Sequence, residues 1–219
     1  MEIQFQVNHQ PVNAYLALPL SGKGPGVLVL HAWWGLKPFF KEVCDQLAAQ
    51  GFVVFAPDLY HGPVANTVDE AQALHDAADD QLVGATVRAA EDFLLAHPAQ
   101  TAKKIGVMGF SMGAGWTLVA ATRVPQHFGA AVVFYGGPGV EIEKLQAKFM
   151  GHFSDQDEWE PLDGILALQK DMLSAGVDAT FHIYPGLPHW FFENDRPEYD
   201  PAAAKLAWER TLAFFKDNL

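Results

Sequence analysis

A chain of 219 residues is read most economically as one domain, residues 1–219, large enough to bury roughly 70% of the surface its unfolded form would expose. A net charge of −12, from 26 acidic and 14 basic residues, offers no basic footprint for a phosphate backbone, so no nucleic-acid partner is expected. One cysteine, Cys44, cannot form an intramolecular disulfide, no apolar stretch approaches the ~18 residues of a membrane span, and the first residues lack the basic head and apolar run of a secretory signal; a cytoplasmic protein with no membrane partner is expected.

Residues 3–7 alternate apolar and polar, turn at Asn8-His9-Gln10 and resume alternation over 12–18, which predicts an antiparallel hairpin of half-buried strands. After the loop 21–26, Val27-Leu28-Val29-Leu30 is a continuous apolar run suited to a strand covered on both faces. From there strands and helices alternate. A helix is predicted over 39–50, stopped by Gly51, then a strand over 52–56 and one long helix over 68–96. A short strand follows at 104–108 and a helix at 114–121, then strands at 130–134 and 149–153, a helix at 162–175, a last strand at 179–184 and a closing helix at 201–217 that opens on Pro201. This alternation predicts the α/β class, with a mostly parallel, doubly wound sheet, whose chemistry lies beyond the carboxyl ends of its strands.

Gly109-Phe110-Ser111-Met112-Gly113 joins the strand at 104–108 to the small-residue helix after it. A G-x-S-x-G run in that context makes an exposed nucleophilic serine, because so sharp a reversal leaves no room for Cβ atoms at its flanks. A serine hydroxyl is a weak nucleophile at neutral pH and needs an imidazole to take its proton, with a third group holding that imidazole. Among the nine histidines, His189 stands out, in the turn-rich stretch 185–192 directly after the last strand and flanked by aromatic residues that could exclude water. The loop 154–161 after the preceding strand supplies the acid: Asp157 is the choice, with Asp155 as the alternative. The order Ser111, Asp157, His189 is that of the α/β-hydrolases. Two backbone N–H groups for an oxyanion are expected from Met112, after the nucleophile, and from Trp33 in the loop after Leu30, with Trp34 as the alternative donor. Cys44 falls in step with Phe40, Val43 and Leu47 on a helix and reads as core.

Together these residues resemble the dienelactone hydrolase family, the small branch of the α/β-hydrolases. The resemblance is carried by 109–113, by Asp157-Glu158-Trp159-Glu160-Pro161, by Tyr184-Pro185-Gly186 leading to His189-Trp190-Phe191-Phe192, and by 195–204. It implies an α/β-hydrolase fold and cofactor-free hydrolysis of a small lactone or activated ester, with Ser111, Asp157 and His189 as the triad; with no HExxH, CxxC or acidic cluster of metal-ligand spacing in the sequence, no metal is expected. Trp34, His61, Trp159 and Trp190 are expected around the substrate. The best-known members carry cysteine at the nucleophile and glutamate in the oxyanion loop, where this chain has Ser111 and Ala32; a serine needs no carboxylate to manage a thiol's ionisation. Those members also use arginines to hold the carboxylate of dienelactone. Here His61 stands where one of them would be sought, Glu193 follows shortly after His189, and Arg196, the one candidate to substitute, reads more readily as a surface loop residue, so a neutral ester or lactone is at least as well suited. Only 136–146 follow the strand where larger relatives insert a lid, so no lid domain is expected. The alternative function is a non-catalytic ligand-binding protein of the same fold.

Overall fold

The chain begins with the hairpin. β1 (Glu2–Val7) and β2 (Gln10–Ala17) pair antiparallel, from Glu2 opposite Tyr15 to Val7 opposite Gln10. Asn8 and His9 between them have φ of +48° and +65°, the left-handed pair that makes a two-residue turn follow the twist of its strands. A computed structural model of the chain describes residues 1–137 and 140–219, which form two compact units, Met1–Ile105 and Gly106–Leu219.

In the first unit the strands lie in the order β1-β2-β4-β3. β2 pairs antiparallel with β4 (Val53–Pro57), and β3 (Gly26–Leu30) pairs parallel with β4, Gly26 opposite Val53. Every residue of β3 and β4 is buried, as their unbroken apolar runs predict. Helix α1 (Pro38–Ala49) starts on proline, whose missing N–H is harmless there, and buries Phe39, Phe40, Val43, Cys44 and Leu47 along one stripe. Each large side chain buried in this way contributes roughly 1.5–3 kcal/mol of transfer free energy. The single helix predicted over 68–96 is two helices, α2 (Val68–Ala77) and α3 (Asp80–Ala96). Ala78 is extended, and the Asp79 carboxylate accepts from the N–H groups of Gln81 and Leu82. That cap supplies partners for orphan donors and nucleates a second helix, which apolar periodicity alone cannot reveal. At the start of α2, Thr67 and Glu70 cap each other's backbone reciprocally.

The second unit carries all but the first residue of β5 (Ile105–Phe110), then β6 (Phe128–Phe134), β7 (Lys148–Ser154) and β8 (Ala179–Tyr184), side by side in that order. β6 and β7 are parallel, with Phe134 opposite His152, and β7 and β8 are parallel, with Ser154 opposite Tyr184. β7 and β8 therefore end level with each other and β6 two residues earlier, and the loops after all three leave from the same end. Helices α4 (Met112–Arg123), α5 (Leu162–Ser174) and α6 (Pro201–Asn218) complete the unit; Asp200 caps α6 through the N–H groups of Ala202 and Ala203. β5 extends to Phe110, two residues beyond the predicted end, which confines the reversal into α4 to Ser111. Residues 135–147 link β6 to β7; within the segment 136–146, Pro138 and Gly139 lie outside the described residues. No helix among the described residues is long and apolar enough to cross a membrane.

Candidate active site

Ser111 sits between β5 and α4 with φ +49° and ψ −111°. A non-glycine residue in that region carries on the order of 1–3 kcal/mol of strain, which the surrounding structure must hold. Two glycines show how. A Cβ on Gly109 would collide with the backbone carbonyl of Gly113, and one on Gly136 would collide with the carbonyl of Ser111. The strand and the following helix thus approach within backbone contact, and the Ser111 N–H is tied to the Phe134 carbonyl at 3.0 Å. Ser111 remains partly accessible.

His189 follows β8 and is 3% exposed. Its Nε2 lies 2.9 Å from Ser111 Oγ, and its Nδ1 lies 2.7 Å from Asp157 Oδ2. An ionised carboxylate only accepts, so the imidazole proton resides on Nδ1 and the Nε2 lone pair faces the serine hydroxyl. Asp157 is itself held: its Oδ1 accepts from the N–H groups of Trp159 at 2.8 Å and Glu160 at 2.9 Å. Asp155, the alternative acid, is occupied elsewhere. Its Oδ1 accepts from the Gly186 N–H at 2.6 Å and its N–H donates to the Tyr184 carbonyl, so it joins the loops after β7 and β8. Burial and then the Asp157 charge push the nearby Glu160 carboxyl above the ordinary carboxylate range, against a hydrogen bond from the Gly137 backbone.

Aromatic residues surround the imidazole. Trp190 packs edge-on to it at 5.0 Å, Tyr135 lies 4.8 Å away, and the half-exposed Trp159 lies 6.5 Å away. Trp159, Trp190, Pro188 and His189, with Glu158 and Glu198, line a cavity of about 160 Å³. Arg196, expected on the surface, is largely buried: its guanidinium lies 4.9 Å over the Trp190 ring and its Nε lies 3.5 Å from Glu198. Met112 is the first residue of α4. Tyr135, next to Gly136, and Glu193, at the end of the aromatic run, are joined by a buried hydrogen bond that residue order gives no reason to expect.

The other expected positions belong to the first unit. Trp33 and Trp34 are buried edge-to-face at 5.4 Å in the loop after β3. That loop is fastened by His31, whose Nδ1 lies 2.7 Å from the Ala32 carbonyl while its Nε2 accepts from the Leu59 N–H. Burial lowers the His31 pKa, consistent with a neutral ring in these roles. His61, at φ +57°, borders a cavity of about 300 Å³ with Tyr60, Leu74 and Leu82. Its Nε2 lies 2.9 Å from Thr86 Oγ1, whose hydroxyl proton is committed to the Leu82 carbonyl, so Nε2 is the donor.

Known proteins share this arrangement of strands and helices. "Protein usf" of Aquifex pyrophilus is 36% identical over 227 residues, which span 99% of this chain and 98% of that protein. "Putative carboxymethylenebutenolidase" of Aquifex aeolicus (strain VF5) is 33% identical over 231 residues, again 99% and 98% of the two chains. The crystal structure of "Putative Dienelactone Hydrolase" from Klebsiella pneumoniae subsp. pneumoniae MGH 78578 superposes with a TM-score of 0.89 at 25% identity, over 99% of this chain and 97% of that one. The fold is that of the α/β-hydrolases, mostly parallel with an antiparallel N-terminal pair. The model of the dienelactone hydrolase family matches residues 12–219, and the chain belongs to that family.

Proposed function

We propose that this member of a hydrolase family is a serine hydrolase that opens small lactones or cleaves small activated esters through an acyl-enzyme on Ser111. The observation that carries the proposal is the hydrogen-bonded chain from Ser111 Oγ to His189 Nε2 and from His189 Nδ1 to Asp157, anchored at a serine with φ +49°. The Ser111 oxygen attacks the substrate carbonyl carbon while its proton passes to Nε2. The imidazolium that forms is stabilised by the Asp157 carboxylate. The tetrahedral oxyanion takes a hydrogen bond from the Met112 N–H at the start of α4, where the helix's positive end also faces the developing charge. The leaving oxygen breaks from carbon and takes the proton from Nε2. Water then attacks the acyl carbon, gives its proton to Nε2, and releases the acid as Ser111 recovers its own.

The carboxymethylenebutenolidase name of the Aquifex aeolicus relative supports a lactone. Aromatic walls and the small cavity beside His189 support a compact, largely neutral substrate. The test is covalent: wild type acylated by p-nitrophenyl acetate or labelled by a fluorophosphonate should carry the adduct on Ser111, and Ser111→Ala should lose both labelling and turnover. Esterase activity retained by Ser111→Ala would end the proposal.

A further inference from the structure

Glu193 is fully buried, and taking a carboxylate out of water costs several kcal/mol unless it is well partnered. The hydroxyl of Tyr135 donates to its Oε1 at 2.8 Å. Tyr135 is fully buried too and sits at φ +36°, a backbone region that non-glycine residues occupy only when the surroundings force it. Its own N–H is bound to the His152 carbonyl at 2.8 Å, so both ends of the residue are fixed. Burial first, and then the charge of Glu193, raise the Tyr135 pKa, which keeps the hydroxyl protonated and donating.

The two residues stand on either side of the imidazole in the chain. Tyr135 presents its ring to His189 at 4.8 Å, and its neighbour Gly136 abuts the Ser111 carbonyl. Glu193 closes the turn that begins just after His189, with its N–H on the Trp190 carbonyl at 3.0 Å. One hydrogen bond therefore clamps the segment that supports the serine backbone to the segment that carries the base.

We infer that Tyr135 and Glu193 are a positioning pair for His189, a buried hydrogen bond that holds the imidazole within reach of both Ser111 and Asp157. This inference rests on the Ser111 reading above. Neither residue touches the reacting atoms, and no proton leaves the pair during turnover. A tyrosine–carboxylate bond buried for stability alone would be replaceable by apolar groups of similar size with little loss. A positioning pair would not be, because a shift on the order of 1 Å in a catalytic group can reduce turnover about a hundredfold.

The experiment compares Tyr135→Phe, Glu193→Gln and the double variant Tyr135→Phe with Glu193→Met in the full-length protein, by steady-state kinetics with p-nitrophenyl acetate, thermal unfolding and proton NMR of the downfield His189 Nδ1–H. The expected result for Tyr135→Phe and the double variant is a fall in kcat of about tenfold to a hundredfold with KM nearly unchanged and a broadened or displaced Nδ1–H resonance. The double variant should show little change in Tm, and Glu193→Gln, which keeps an acceptor for the tyrosine, should recover most of kcat. Wild-type kcat in Tyr135→Phe overturns the inference; so does a loss of kcat with the Nδ1–H resonance unmoved, since the imidazole would then be in place. Should the double variant fail to fold, Tyr135→Phe decides alone. Failure of the underlying Ser111 reading would show separately, as Ser111→Ala that still turns over.

Discussion

Replacing Asp157 with asparagine tests the proposed catalytic chain at its narrowest point. The side chain cannot rotate freely after the change, because Oδ1 already accepts from two backbone N–H groups, those of Trp159 at 2.8 Å and Glu160 at 2.9 Å. An amide nitrogen turned toward those donors would face two of them with no lone pair, so the amide oxygen stays there and the new NH2 occupies the place of Oδ2, 2.7 Å from His189 Nδ1. Nδ1 must then accept, the ring proton moves to Nε2, and Nε2 points a hydrogen at Ser111 Oγ from 2.9 Å where a lone pair is needed. Packing is preserved, so Tm should change little, while kcat should fall on the order of 10,000-fold, or about 5.5 kcal/mol of barrier. Pre-steady-state acylation by p-nitrophenyl acetate reads the step directly. Asp155→Asn is the matched control: its amide oxygen can still accept from Gly186, and kcat should remain within about threefold. Turnover by Asp157→Asn within tenfold of wild type, or an equal loss in Asp155→Asn, would refute the tautomer argument.

Three further expectations follow from the packing. Gly109→Ala drives a methyl group into the Gly113 carbonyl and should lower stability by at least about 2 kcal/mol in chemical denaturation, with loss of esterase activity. Asp79→Ala removes the cap of α3 and should lower stability by about 1 kcal/mol in the same assay. His152 is buried in the second unit, its Nε2 bonded to Thr211 and its Nδ1 to Tyr184, and burial holds its pKa well below the ordinary imidazole range. Below about pH 6.5 the unfolded chain binds a proton there that the folded chain refuses, so this contribution is complete above that pH and is lost as pH falls toward the folded-state value. Stability should therefore decline on acidification from pH 7, with a slope approaching about 1.4 kcal/mol per unit for this group, and His152→Gln should make the decline shallower in urea titrations at pH 5, 6 and 7.

The sequence reading was strongest where local chemistry decides the outcome. Alternation on either side of Asn8-His9 dictates the hairpin, and unbroken apolar runs dictate β3 and β4, because each follows from which faces must leave water. Ser111, His189 and a carboxylate after β7 were legible because parallel strands deliver their following loops to one end. Between the two candidates the sequence favours Asp157, the carboxylate that the structure places on His189, but residue order alone does not separate them. Asp155 and Asp157 share a loop, and the difference lies in partners 31 and 32 residues away, Gly186 for one and His189 for the other. The break between α2 and α3 leaves no mark on the apolar stripe, because Asp79 acts through its own backbone neighbours while the stripe continues across it. The Tyr135–Glu193 bond joins residues 58 apart in the chain, and neither period nor spacing carries information at that range. Arg196 differs from its expected place for a related reason: its loop position says surface, but the indole of Trp190 offers its flat stem and guanidinium a face to lie on.

Cys44 gives the first unit a built-in clock. It is the chain's sole cysteine, it is fully buried on the inward stripe of α1, and burial pushes its thiol ionisation far up from the ordinary range. A disulfide reagent such as Ellman's therefore meets no nucleophile until α1 lifts away, and the rate of chromophore release under native conditions counts those openings one molecule at a time. Slow reaction at saturating reagent would report the opening rate itself, while reaction proportional to reagent would report the population of the opened form, so a single natural atom reads out both the kinetics and the equilibrium of local unfolding without any engineered label.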